Sequence, residues 1–176
     1  AVLQTHDVLF VADDVICRFC RTGNLGASET FNIEPDILVC AKALSSSYLP
    51  ISGTMISDDI YQAIADASSK LGVFGHGYTY SGHPVAAAVA LETLSIYEEE
   101  DILGHVRSVM GLYQERLHSF ADHPLLGEVR GEGLIGATEL VRDKSSKEAF
   151  APTDNVGGTI SNCLLYTSPS PRDRYI

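Results

Sequence analysis

The stretch Val8-Leu9-Phe10-Val11-Ala12 ends in Asp13, and a second stretch, Ile37-Leu38-Val39-Cys40-Ala41, ends in Lys42. Runs this short and this apolar, without polar alternation, read as neighbouring strands buried on both faces of a parallel sheet. Such sheets place their ligand crevice just beyond the carboxyl ends of the strands. Asp13 and Lys42 each stand at such an end, so a carboxylate and an amine are expected to meet in one pocket. A lysine is ordinarily solvated surface, but one closing a run of buried-type residues is costly there unless it has a role. Asp13, from pattern alone, reads equally well as a helix N-cap.

Working outward, a turn at Ser45-Ser46-Ser47 leads to a further expected strand, Ile51 to Ile56. Ser57-Asp58-Asp59 opens a helix: Ser57 suits the N-cap, the aspartates suit the positive end, and Ile60 and Ile64 give an inward face. Lys70 to Gly77 is a glycine-containing loop. Pro84 fits the first position of a small-residue helix running from Val85 to about Glu100. An amphipathic helix follows from about Asp101 to Phe120, with Ile102, Val106, Val109, Leu112, Tyr113, Leu117 and Phe120 on or near one face. Asp122 to Gly127 reads as a linker, and Glu128–Arg130 and Leu134–Val141 as strands around a Gly131-Glu132-Gly133 turn. The expected organisation is therefore 1–121 as part of a large domain, 122–162 as the start of a small α+β domain, and 163–176 as a tail.

With 176 residues, 45% of them hydrophobic, the chain is long enough for a domain with a sizeable core. No apolar run approaches the roughly 18 residues that span a bilayer, and no secretory signal is legible, so a cytoplasmic address without membrane contact is expected. The formal charge of -11 argues against a nucleic-acid partner, which would require clustered Lys and Arg. Cys17-Arg18-Phe19-Cys20 has the spacing of half a zinc or redox motif, but no second pair or histidine cluster completes four ligands, so no metal is expected. His76 and His83 read as polar loop residues.

A lysine and an acid at one site is the combination pyridoxal 5'-phosphate needs: the amine holds its aldehyde as a Schiff base and the acid keeps its pyridine nitrogen protonated. VLFVADDVICRFCRTG (8–23) with DILVCAKALSSSY (36–48) resembles the signature of class III pyridoxal-phosphate aminotransferases, the omega-amino-acid:pyruvate transaminase group. FGHGYTYSGHPVAAAVALETL (74–94) is similar to the segment with which these enzymes close the neighbouring subunit's site, and EVRGEGLIGATELV (128–141) to the start of their small domain. The resemblance runs from about Val8 to Gly158. It implies an α/β, fold type I transferase with a mainly parallel sheet, which moves an amino group from an amine or omega-amino acid to a 2-oxo acid such as pyruvate. It makes Lys42 the Schiff-base lysine and proton carrier, Asp13 the pyridinium partner and Val15 a residue packed on the ring. Tyr78 and Thr79 would contact the phosphate of the partner subunit's cofactor in a homodimer with shared sites. Thr79 also lies in a glycine-flanked loop before a helix, which suits phosphate donors. Another class III activity is the alternative, that of an ornithine or 4-aminobutyrate aminotransferase or a glutamate-semialdehyde aminomutase; a further alternative is a truncated fragment without catalysis.

This sequence departs from that pattern at Asp14, where relatives carry Glu, and at Arg18, Cys20 and Ser47, where they carry glycine. Any of the last three that needs positive φ costs about 1–2 kcal/mol with a side chain. Each is one base change from a glycine codon, so read error is one hypothesis and genuine divergence or a decayed gene the other; resequencing the source DNA and finding glycine codons would establish the first. Cys163 to Asp173 (CLLYTSPSPRD) resembles the translation of a transposase sequencing adapter and is set apart from fold reasoning. Together with a first residue that is not Met, it suggests the internal fragment of a longer enzyme, expected to be inactive alone.

Overall fold

The computed structural model describes residues 2–167. The elements follow in the order α1 (Val2–Thr5), β1 (Val11–Asp13), α2 (Ala27–Thr30), β2 (Ile37–Cys40), a 3-10 turn (Lys42–Leu44), β3 (Gly53–Ile56), α3 (Asp58–Leu71), α4 (Pro84–Glu99) and α5 (Ile102–His118). Then come β4 (Leu126–Glu132), β5 (Ile135–Asp143), β6 (Glu148–Ala149), a 3-10 turn (Pro152–Asp154) and α6 (Val156–Thr167). The chain divides into two compact units, the first reaching to Tyr113 and including Glu132–Ile135, the second holding the remainder.

In the first unit the sheet order is β1-β2-β3. β1 and β2 run parallel, Val11 opposite Ile37 and Asp13 opposite Val39. β3 returns antiparallel, Ile37 opposite Ile56 and Cys40 opposite Gly53. The sheet is thus mixed, because the chain between β2 and β3 is spent on turns and not on a crossover helix.

Two strand expectations are corrected. Val8 to Phe10 do not join the ladder: the Phe10 amide donates to Asp36 Oδ2 at 2.7 Å, and its carbonyl accepts the Asp36 and Ile37 amides at 3.0 and 3.1 Å. A side chain there replaces a strand neighbour. Nor is β1 buried on both faces: Val11 is 53% exposed, and among the described residues β1 stands at the edge of its sheet, paired with β2 alone.

Ser57 is the N-cap of α3, its backbone extended as that position requires, although its side chain makes no capping bond. Asp58 and Asp59 occupy the first turn and Lys70 the last, matching the helix dipole. Pro84 takes the first turn of α4, and Ala86 and Ala90 are its buried alanines. Cys20, Cys40 and Val106 complete the buried apolar set of this unit. At the tip between β4 and β5, Gly133 has φ +58°, and a Cβ there would lie 2.5 Å from Thr22 Cα, so only glycine fits.

In the second unit the sheet order is β4-β5-β6, with Leu126 and Val141 buried. β6 pairs antiparallel with β5, Val141 opposite Ala149. The tail expected to derive from an adapter begins within α6 at Cys163; its part beyond Thr167 lies outside the described residues.

Candidate active site

The parallel pairing of β1 with β2 determines the site. Past Asp13 the chain leaves the sheet, and the Asp14 amide ties that exit to the Val39 carbonyl at 3.0 Å. Asp13 is exposed, and its Oδ1 accepts the Val15 amide at 3.2 Å. This is a short Asx turn, and it resolves the N-cap alternative: Asp13 caps a turn two residues long while its remaining lone pairs stay available. Val15 is half-buried beside it.

β2 ends at Cys40, and Lys42 turns the chain with φ +42°. The 3-10 turn closes through Leu44 N to Ala41 O (2.9 Å) and Ser45 N to Lys42 O (3.2 Å). Ser45 is buried and donates its hydroxyl to the Leu49 carbonyl at 2.6 Å. Ser46 and Ser47 follow with φ +47° and +65°. Lys42 therefore opens a segment in which three non-glycine residues hold left-handed backbone. Lys42 is exposed, against the expectation of a buried ammonium, because the turn carries it off the end of the strand.

Lys42 lines an open cavity of about 250 Å³ with Ser45, Ser47, Leu49, Pro50 and Ile51. Asp13 stands at the same end of the neighbouring strand but does not line that cavity, because Lys42 comes three residues after Val39, the ladder partner of Asp13, and two after β2 has ended. Tyr78 and Thr79 lie in the exposed loop between α3 and α4. There the Tyr78 amide donates to Ser81 Oγ and the Ser81 amide to the Tyr78 carbonyl, both at 2.9 Å. Tyr78 lines a separate cavity of about 640 Å³, with Pro50, Ile51, His83 and Ala86 among its other walls.

Two contributors were not legible in the sequence. Tyr97 of α4 donates its hydroxyl to the Ala43 carbonyl at 2.7 Å and lies 2.8 Å from Ser46 Oγ, so it grips the lysine turn from more than 50 residues away. Asp14, 2% exposed, receives the Ala27 amide on both carboxylate oxygens at 3.1 Å and so holds the start of α2. Neither link leaves a local sequence signal, since both are long-range.

The thiols nearby are muted. Burial pushes the Cys17 pKa up, with the Asp14 and Asp13 carboxylates adding to it and Arg21 opposing. Burial likewise raises Cys20, where Arg107 opposes and Asp101 adds. Among the described residues, no three His, Cys, Asp or Glu side chains gather in a way that could hold a metal ion.

The amine and the carboxylate thus stand near the carboxyl ends of a parallel strand pair, the side on which open α/β sheets place their ligand crevices. Comparison with known proteins then gives the family. The Aminotransferase class-III model matches residues 1–166. A gamma aminobutyrate transaminase 3, chloroplastic, of Solanum lycopersicum is 47% identical over 157 residues, which is 89% of this chain and 30% of that protein. A vanillin aminotransferase of Capsicum annuum is 49% identical over 168 residues, 94% of this chain and 36% of that protein. The crystal structure of the omega transaminase from Pseudomonas jessenii in complex with PMP superposes with a TM-score of 0.87 at 47% identity, over 94% of this chain and 36% of that one. The chain belongs to the class III aminotransferase family and has part of the fold type I α/β architecture. It spans about a third of the length of the relatives it matches.

Proposed function

We propose that the protein to which this chain belongs is a pyridoxal-phosphate-dependent aminotransferase. It moves an amino group from an amine or omega-amino acid to a 2-oxo acid such as pyruvate. The observation that carries the reading is that Asp13 closes β1 and Lys42 follows two residues after the end of its parallel neighbour β2, on a left-handed turn that leaves the lysine exposed. When bound, pyridoxal phosphate supplies an aldehyde carbon and a pyridine ring that draws electrons once its nitrogen is protonated. The donor set fits: Lys42 Nζ is the amine for the aldehyde carbon, and Asp13 keeps carboxylate lone pairs beyond its one bond to Val15.

In this reading Lys42 Nζ also accepts and returns the proton on the substrate carbon. Asp13 would hold the ring N–H and favour its protonated form by opposite charge. Val15 would pack on the ring. Tyr78 and Thr79 serve the phosphate of the adjoining subunit's site, which makes the working form a homodimer. Residues 1–121 belong to the large domain and 122–162 to the start of the small one. A cytoplasmic address is part of the proposal; a relative named as chloroplastic gives the competing address, and imaging a tagged full-length parent separates the two.

A second reading of the donor, 4-aminobutyrate, is favoured by the 47% identity to a gamma aminobutyrate transaminase. The two readings share every residue above, and substrate profiling of the full-length parent distinguishes them.

The test of the site is to mix the chain with pyridoxal phosphate, follow the visible spectrum, reduce with borohydride and map the labelled lysine. Label concentrated at Lys42 and absent from Lys42→Ala supports the reading. Label spread evenly over Lys42, Lys70, Lys144 and Lys147 overturns it for this chain.

A further inference from the structure

We infer that Tyr97 is a positioning residue for Lys42: its hydroxyl fixes the left-handed turn from which the lysine amine is presented. This rests on the reading of Lys42 given above.

The turn is strained. Lys42, Ser46 and Ser47 have φ of +42°, +47° and +65°, a region that ordinary side chains avoid. Such conformations persist only where their surroundings over-determine them. The backbone bonds within the turn are short-range and available to other turn types, so they do not select this one. Ser45 supplies one anchor through Leu49. Tyr97 supplies the other, from a separate element that is itself a sixteen-residue helix.

Proton accounting shows how the hydroxyl acts. A phenol has one proton to give, and Tyr97 directs it to the Ala43 carbonyl at 2.7 Å. The 2.8 Å contact with Ser46 must then run the other way, Ser46 Oγ–H donating to Tyr97 Oη. One oxygen thus clamps residues 43 and 46, which flank the middle of the turn. The tyrosine ring is half-buried, its centroid 6.1 Å from that of Phe19, so the helix delivers the oxygen from a packed side chain with few alternative rotamers.

The test compares the chain with Tyr97→Phe, which keeps the ring and its packing and deletes only the oxygen. Amide hydrogen exchange is measured across residues 43–48, with β2 as the control. The borohydride-trapped pyridoxal phosphate label at Lys42 is measured relative to that at Lys70. Exchange in the turn is expected to rise about fivefold, with β2 unchanged: of the two bonds deleted, the exposed Ser46 hydroxyl turns to water and the one to the Ala43 carbonyl is the net loss, about 1 kcal/mol. The Lys42 to Lys70 label ratio is expected to fall by a similar factor, and Ser46→Ala is expected to give a smaller change in the same direction.

Unchanged exchange in Tyr97→Phe overturns the inference. Faster exchange with an unchanged label ratio makes Tyr97 a structural tie only, and also overturns it. If the unsubstituted chain labels Lys42 no better than Lys70, the reading of Lys42 itself has failed and the positioning role falls with it. That outcome shows in the unsubstituted chain, before any variant is made.

Discussion

Arg18 Nη1 lies 3.6 Å from Asp14 Oδ2, one turn along the chain, with the Asp14 side chain 1% exposed and that of Arg18 20%. Both positions depart from the residues expected by family resemblance, Asp for Glu and Arg for Gly, and the two departures touch. The buried carboxylate also holds the Ala27 amide, and a Cβ on Gly26 would come within 2.4 Å of Asp14 Oδ2. A carboxylate one methylene shorter than Glu is thus seated between an amide, a glycine and a guanidinium. Arg18 supplies the opposite charge that a buried anion needs.

The pair is therefore expected to be energetically coupled. Asp14→Ala leaves the Ala27 amide without its acceptor and should cost about 1–3 kcal/mol. Arg18→Gly should cost about 1–2 kcal/mol, above an exposed pair and below a dry one. In an Asp14→Asn background most of that Arg18→Gly cost should vanish. Urea unfolding of the four chains gives the cycle, and additive costs would mean that the two substitutions are unrelated.

Cys20 and Ser47 share a strain but not its remedy. Their φ values are +74° and +65°, whereas Arg18 is not in that region, so only two of the three expected glycine positions require one. Ser47 is exposed and loses no burial on truncation, so Ser47→Gly should stabilise by about 0.5–1 kcal/mol once the greater freedom of glycine in the unfolded chain is subtracted. Cys20 is 2% exposed, and deleting a buried side chain removes about as much as the strain relief returns. Cys20→Gly is therefore expected to be near neutral or destabilising. Equal stabilisation by both in urea unfolding would show that strain outweighs packing at Cys20.

Local chemistry was legible in the sequence; pairing and burial were less so. Pro84, Ser57 and the apolar runs mark α4, α3 and the strands because each signal is carried by the residues themselves. β1 is shorter than its apolar run because Asp36, 26 residues away, caps Phe10 with a side chain. β3 begins at Gly53 and not at Ile51 because β2 ends at Cys40, so residues 51 and 52 have no ladder partner. Asp13 could be placed at a strand end from pattern alone, and Lys42 within two residues of one. The hold of Tyr97 on the lysine turn could not, because a helix stripe does not report which distant carbonyl a hydroxyl will meet.

Cys17 and Cys20 should be slow nucleophiles. Burial, and for Cys17 the two neighbouring aspartates, raise both thiols above the ordinary value of 9.0, which lowers the thiolate fraction near neutral pH. Iodoacetamide should modify the exposed Cys163 first, and mass spectrometry of the digested chain reads the order. Between pH 9.0 and the raised values the unfolded chain sheds these protons while the folded chain keeps them. Stability is thus fully present below pH 9 and declines as pH rises beyond it. Faster alkylation of Cys17 or Cys20 than of Cys163 at neutral pH would overturn this account.

The turn after β5 carries the opposite pH signature. Asp143 Oδ1 receives the Ser145 hydroxyl at 2.6 Å, the Ser146 amide at 2.7 Å and the Ser146 hydroxyl at 2.9 Å. These donors favour the ionised form and lower the Asp143 pKa from 3.8 to about 2, the Ser145 hydroxyl contributing most. A depressed acid stabilises the folded state above its unfolded value and ceases to do so as pH falls through the folded one, so the turn should loosen between about pH 4 and pH 2. Carboxyl titration by NMR should place the Asp143 midpoint near the lower limit. Ser145→Ala should bring it back towards 3.8, and by more than truncation of the Ser146 hydroxyl, because the Ser145 hydroxyl is the largest of the lowering causes and the Ser146 hydroxyl ranks below the Ser146 amide. A midpoint already near 3.8 in the unsubstituted chain would mean that the three donors do not converge on this oxygen in solution.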